Sequence, residues 1–147
     1  PKLKALVKTV WEQKSLPAPN HSSVEQGVYV DYILSHTQPG DYVLIWGNES
    51  VYNFLAERES PSRFVYTYAF GVPNYVSPEI ANELLLDITR KKPMIIDAAR
   101  DKNLAALDSD LWKNTPLRDL IAFIEENYTR VDIVGPDRFR IWVYKGD

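Results

Sequence analysis

The period of the apolar positions changes several times along this chain, and each change marks an element. Leu3, Leu6, Val7, Val10 and Trp11 recur at i, i+3, i+4, i+7 and i+8, which predicts an amphipathic helix over residues 2–14 with lysines on its polar side. Leu16-Pro17-Ala18-Pro19-Asn20 breaks it. Ser22 with Glu25 is a capping-box pair, and Val24, Val28 and Tyr32 extend a second helical face until Thr37-Gln38-Pro39-Gly40 ends it. Tyr42-Val43-Leu44-Ile45-Trp46 is too short for a helix and too uniformly apolar for a half-exposed strand, so it predicts a strand covered on both faces. Gly47 ends that strand. Asn48-Glu49-Ser50 then offers N-cap chemistry for a helix over residues 49–57 with Val51, Phe54 and Leu55 on its apolar side, and a second strand is expected at Arg63–Thr67.

A loop containing Gly71, Pro73, Asn74 and Pro78 leads into a helix over 78–90, with Ile80, Leu84 and Ile88 four apart. Pro93-Met94-Ile95-Ile96-Asp97 reads as another buried parallel strand. Residues 98–115 lack a clear period, and loops of that length are often functional. Thr115-Pro116 opens a last helix with the face Leu117, Leu120, Ile121 and Ile124. Tyr128–Val134 and Phe139–Tyr144, joined by Gly135-Pro136-Asp137-Arg138, predict a terminal antiparallel hairpin. The order α-α-β-α-β-α-β-α-β-β implies one α/β domain over residues 1–147. Its expected form is a three-layer α/β/α sandwich on a mostly parallel, Rossmann-like sheet of about five strands, ending in that hairpin.

In such sheets the ligand crevice lies at the carboxyl ends of the strands, which makes Trp46, Gly47, Asn48 and Glu49 the first candidates. Composition then narrows the chemistry. The chain has 147 residues, no cysteine and a formal charge of −3, so it offers no thiolate, no disulfide framework and no excess of basic residues for nucleic acid. Charge is uneven: residues 1–14 carry four lysines against Glu12, leaving 13 basic and 19 acidic residues in the remainder. There is no run of roughly 18 apolar residues, and no signal-peptide pattern opens the chain. A first residue Pro1 rather than Met suggests a fragment or a processed form.

Dinucleotide, P-loop, nucleophile-elbow and zincin motifs are absent. His21 and His36 lack spaced partners and read as structural. Asp97, Asp101, Asp108 and Asp110 could gather near the strand ends as oxygen ligands, though turn capping and loop solvation is the commoner use of such residues, and Arg100 could pair with them. Trp46, Tyr52, Tyr66, Tyr68 and Tyr75 crowd the central unit with the amphipathic rings that recognition surfaces use. Arg58 and Arg63 bracket Glu59-Ser60-Pro61-Ser62, either as a phosphate clamp or as a helix cap and a strand residue. Asn20, Asn48 and Asn127 open N-x-[ST] acceptor triplets, relevant only in a glycosylating compartment. No cofactor or metal is called for by these patterns.

Asp41-Tyr-Val-Leu-Ile-Trp-Gly-Asn48, then Tyr52 and Arg58, then Pro61-Ser-Arg-Phe-Val-Tyr-Thr-Tyr68 resembles the soluble C-terminal region of multi-pass membrane glycosyltransferases of the dolichyl-phosphate-mannose protein mannosyltransferase and aminoarabinose transferase group. The likeness extends more weakly to Lys92-Pro93 and to Phe123-Ile-Glu-Glu-Asn-Tyr128, and covers most of residues 25–145; Ala56-Glu57 departs from the smaller residues expected before the arginine. It implies a non-catalytic extracytoplasmic domain of an integral membrane enzyme that uses a polyprenyl-phosphate sugar. Its implied partners are the membrane portion of the same polypeptide, the lipid-linked donor or a glycan acceptor. The family's catalytic carboxylates lie in the membrane portion, so no residue here inherits that role. The basic helix over 1–15 suits a juxtamembrane position, although packing on its own domain is the commoner fate of such a face. Two other readings remain: a free-standing α/β enzyme or nucleotide binder using Asn48, Glu49, Asp97 and Arg100, and a protein-interaction module with an apolar patch over Tyr68–Tyr75.

Overall fold

Val43–Trp46 (β1) sends alternate side chains into two separate cores: Val43 and Ile45 to one, Leu44 and Trp46 to the other. The computed structural model describes residues 23–99, 104–132 and 137–146. The helix expected over 2–14, together with His21, Arg100, Asp101 and the centre of the hairpin turn, lies outside them.

The elements are α1 (Ser23–His36), β1, α2 (Val51–Ala56), a 3₁₀ turn Tyr68–Gly71, α3 (Pro78–Lys91), β2 (Met94–Asp97), a second 3₁₀ turn Asp110–Asn114, α4 (Arg118–Asn127), β3 (Tyr128–Asp132) and β4 (Arg140–Tyr144). The sheet has four strands in the order β1-β2-β4-β3. β1 and β2 are parallel with Val43 opposite Met94 and Trp46 opposite Asp97, and β4 runs antiparallel to both β2 and β3. The structure is thus α/β with a mixed sheet, and the terminal hairpin is present. Tyr29 and Ile33 of α1 with Tyr52 and Ala56 of α2 pack on one face; Leu84 and Ile88 of α3 with Leu120, Ile121 and Ile124 of α4 pack on the other.

The strand expected at Arg63–Thr67 does not form. Phe64 and Thr67 are buried while Val65 and Tyr66 are half exposed, a spacing of three that a period-two strand cannot present to one face. Ser62 Oγ also takes the Phe64 N–H, the donor that a ladder would need. The segment instead meets β1 at its two ends. Val43 N donates to Glu59 O at 2.9 Å, and Gly47 N donates to Thr67 Oγ1 at 2.7 Å.

Two helices are rotated from their expected faces. In α1, Tyr29 and Ile33 are fully buried and Val28 is exposed. In α2, Val51, Phe54 and Leu55 are exposed, and Tyr52 and Ala56 face inward. That rotation aims Asn53 at the sheet edge, where its Nδ2 donates to Val43 O at 2.8 Å. By contrast α3 begins as its sequence dictates. Ser77 caps the Ile80 N–H, Pro78 fills the first turn, and Lys92 ends the helix in a left-handed conformation at φ 46°.

Candidate functional site

The carboxyl ends of β1 and β2 are occupied by the chain itself. Trp46 is fully buried; its Nε1 donates to Ala105 O at 3.0 Å, and its ring meets Phe70 and Trp112 edge-on at 5.7 and 5.6 Å. Gly47 follows at φ 156°, and a Cβ there would lie 2.7 Å from Glu49 Oε2 and 3.1 Å from Ala98 Cβ. Glu49 is folded back over this cusp to accept the Asn48 N–H at 2.8 Å. Ser50 occupies the N-cap of α2, with no side-chain cap bond, so Asn48 and Glu49 shape the cusp rather than cap the helix.

Asp97 is the buried carboxylate at the end of β2. Its Oδ1 accepts from Ala99 N at 3.2 Å and its Oδ2 from Leu107 N at 2.9 Å. Burial pushes its pKa up to about 6, against the lowering effect of those N–H groups and of Arg140, which stands 3.9 Å away. Arg140 donates to Asp108 at 2.9 Å, and Arg130 donates to the other oxygen of Asp108. Asp108 therefore ties the loop to the hairpin, and Asp110 pairs with Lys113 in its own turn. Among the described residues no group of three or more metal-ligating side chains forms.

The remaining candidates divide. Tyr52 is buried against Phe139 and Tyr29. Arg58 is 8% exposed and serves as a bracket: Nε donates to Thr37 Oγ1 at 2.8 Å, Nη2 to Thr37 O at 3.0 Å and Nη1 to Ala56 O at 3.1 Å, joining the ends of α1 and α2. Arg63 lies on the surface, where Nε and Nη2 clasp both oxygens of Glu83 at 2.7 and 3.0 Å and the guanidinium covers the Phe64 ring. The two arginines do not converge on one ligand. Tyr66 is half exposed and tilted against the half-buried Tyr68, with Tyr75 exposed farther along the loop.

Beside these rings the loop after the first 3₁₀ turn and the second 3₁₀ turn enclose a groove of about 370 Å³. Phe70 and Trp112 form its buried side, Val72 and Leu111 its exposed apolar rim, and Asn74 and Asn114 contribute amides. Because Trp46 packs on both Phe70 and Trp112, this groove lies off the carboxyl end of β1, where α/β sheets place ligands. Its volume and its mix of apolar walls with a few polar groups suit a small ligand.

None of three comparisons, with protein-family models, with curated proteins and with solved structures, finds a match for this chain.

Leu111, Trp112, Val72 and Asn114 were not singled out by motif. For Leu111, Trp112 and Asn114 the signal in the sequence was the long aperiodic stretch 98–115, in which Leu111-Trp112 stands as an apolar pair among polar neighbours; Val72 lies in the separate Gly71–Pro73 loop.

Proposed function

We propose that this chain is a non-catalytic recognition domain of a membrane glycosyltransferase that uses a polyprenyl-phosphate sugar donor. It belongs on the extracytoplasmic face, attached to the membrane portion of the same polypeptide, and its fold is a shortened Rossmann-like sandwich. The sequence resemblance over residues 41–68 carries the glycosyltransferase part of this reading, and one observation supports its non-catalytic part: the polar groups at the strand ends are engaged within the chain itself, while the adjoining groove presents apolar and amide surface. That arrangement supports holding an acceptor, a donor or a partner, and among the described residues it offers no paired acid and base for group transfer. Val65, Tyr66, Val72, Tyr75 and Leu111, each 45–73% exposed, extend the groove as a recognition surface.

The isolated chain is expected to transfer and hydrolyse no sugar from a polyprenyl-phosphate donor. Turnover by residues 1–147 alone would sink the proposal. Hydrophobic spans encoded immediately before Pro1 in the reading frame are the second expectation.

The raised pKa of Asp97 favours one other reading, a small α/β enzyme or nucleotide binder with that carboxylate as its acid or base. A thermal-shift screen over nucleotides, metals and sugar phosphates separates the two. A ligand at about 100 times its dissociation constant adds about 2.7 kcal/mol of stability, and an Asp97→Asn variant would lose that gain.

A further inference from the structure

The helices α1 and α2 lie side by side and run the same way. Arg58 donates to Thr37, the residue after α1, and to Ala56 O, the last carbonyl of α2, so the two helices end together where β1 begins. At their other end Tyr29 of α1 packs on Tyr52, in the first turn of α2, and on Phe139, next to the Asp97–Arg140 pair that closes β2 against β4. The chain therefore enters α1 at the carboxyl end of β1, level with the start of α2.

Of the two, α2 is the barer. It is six residues long, and only Tyr52 and Ala56 are buried. On its outer side Phe54 is 67% exposed, Leu55 42% and Val51 41%. Single exposed apolar residues are ordinary, but these three follow i, i+3 and i+4 and so form one helical face. One segment of this chain matches that face in pattern, reach and charge. Leu3, Leu6, Val7, Val10 and Trp11 give residues 2–14, outside the described residues, an apolar stripe at helical spacing. Thirteen residues of helix extend about 20 Å, close to the roughly 21 Å of α1. Residues 15–22, interrupted by Pro17 and Pro19, reach up to about 26–29 Å when extended. That is enough chain to double back from Ser23, and eight residues is an ordinary connection between antiparallel helices.

Charge selects the same pairing. Residues 2–14 carry Lys2, Lys4, Lys8 and Lys14 against Glu12. Residues 23–59, which include α1, β1 and α2, hold a single Lys or Arg side chain, Arg58, and it is buried. Even with Glu57 set aside, their carboxylates are five: Glu25, Asp31, Asp41, Glu49 and Glu59. On the other layer α3 and α4 mix Arg90, Lys91 and Arg118 with their acidic residues. The acidic surroundings also disfavour an anionic lipid surface as the cover for Phe54. A second copy is disfavoured by size, because three side chains fall far short of the roughly 800 Å² per partner of a stable interface.

From these features we infer that residues 2–14 dock as a helix on the outer face of α2, antiparallel to α1 and α2, with the Leu3–Trp11 stripe over Phe54. The inference does not depend on any glycosyltransferase role.

The test is amide hydrogen exchange of the whole chain, read by NMR. An isolated helix of this length is marginal in water, so protection there reports docking. Amides of residues 6–13 should exchange more slowly than in unstructured chain by about tenfold or more. Phe54→Lys should abolish that protection while the amides of β1, β2 and β4 keep theirs. Val7→Lys/Trp11→Lys, which leaves α2 itself unaltered, should abolish it equally. Lys4→Glu/Lys8→Glu should lower it with the apolar stripe intact, and Leu111→Lys, exposed on the other layer, should leave it unchanged. Exchange of residues 6–13 at unstructured rates, or protection that survives Phe54→Lys, would overturn the proposal. So would protection that grows with protein concentration, which assigns the face to a second copy, or that arises only with phosphatidylglycerol vesicles, which assigns it to lipid.

Discussion

At the carboxyl ends of β1 and β2, chain that returns from more than fifty residues away in sequence closes over Trp46 and Gly47, and Asp97 spends both oxygens on N–H groups of its own loop. At the amino ends of the same strands, charge stands at the surface: Arg90, Lys91 and Lys92 border an open groove and rest on aromatic rings or in solvent. The same pair of parallel strands thus has one end closed by packing and the other bordered by a charged groove. Fold-level rules locate a ligand by topology alone. The difference here shows that topology supplies only the place, and that what occupies the strand ends decides its use.

Substitutions at the closed end should therefore cost stability. Trp46→Ala removes a fully buried ring together with its bond to Ala105 and is expected to destabilise by about 3–5 kcal/mol in a urea titration. A loss under about 1 kcal/mol would mean that this end is open after all. Asp97 gives the next largest effect. Its folded pKa of about 6 lies above the usual 3.8, so the folded state keeps a proton that the unfolded chain has released. Its contribution is accordingly most favourable below the lower value and is lost as pH rises through the upper one, by about 3 kcal/mol in all. Asp97→Asn should abolish that slope between about pH 4 and pH 6; an unchanged slope in the variant would assign it to other groups.

Gly47→Ala should cost about 1–3 kcal/mol, because the new Cβ meets the Glu49 carboxylate and Ala98. Adding Glu49→Ala should restore only part, since the Ala98 contact at 3.1 Å and the φ of 156° remain. The smallest effect belongs to the open end and has the opposite sign. Lys92→Gly should stabilise by about 0.5–1 kcal/mol by relieving a left-handed lysine, as read in a urea titration. A fall in stability instead would show that side-chain contacts such as that with the Tyr144 ring outweigh the backbone strain.

Much of this was legible in the sequence. The uniform apolar runs at β1 and β2, the Ser77-Pro78 start of α3 and the hairpin pairing are local patterns, and local patterns survive folding. The helix-capping role of Arg58 was likewise readable as one of two uses. Its bond to Thr37 was not, because nothing local connects residues 21 apart. The expected face of α2 failed for a similar reason: Asn53 is required at the sheet edge, and that demand rotates Phe54 outward. The segment 63–67 looked like a strand by composition, yet Ser62 and Thr67 hydroxyls took up the backbone groups that a ladder needs. The groove beside Phe70 and Trp112 is assembled from two loops some forty residues apart, and neither loop carries a period that could have announced it.

Those hydroxyl and amide contacts along β1 have a further consequence. With no fifth strand beside it among the described residues, β1 would expose a flat apolar edge, the kind of surface on which separate molecules add strands to one another. Glu59 O takes the Val43 N–H, Asn53 Nδ2 donates to Val43 O, Thr67 Oγ1 donates to Ile45 O at 3.3 Å, and the same hydroxyl takes the Gly47 N–H. Side chains and a single passing carbonyl thereby block the template at β1, so strand addition by another molecule is left to the opposite edge, β3, which pairs only with β4 among the described strands.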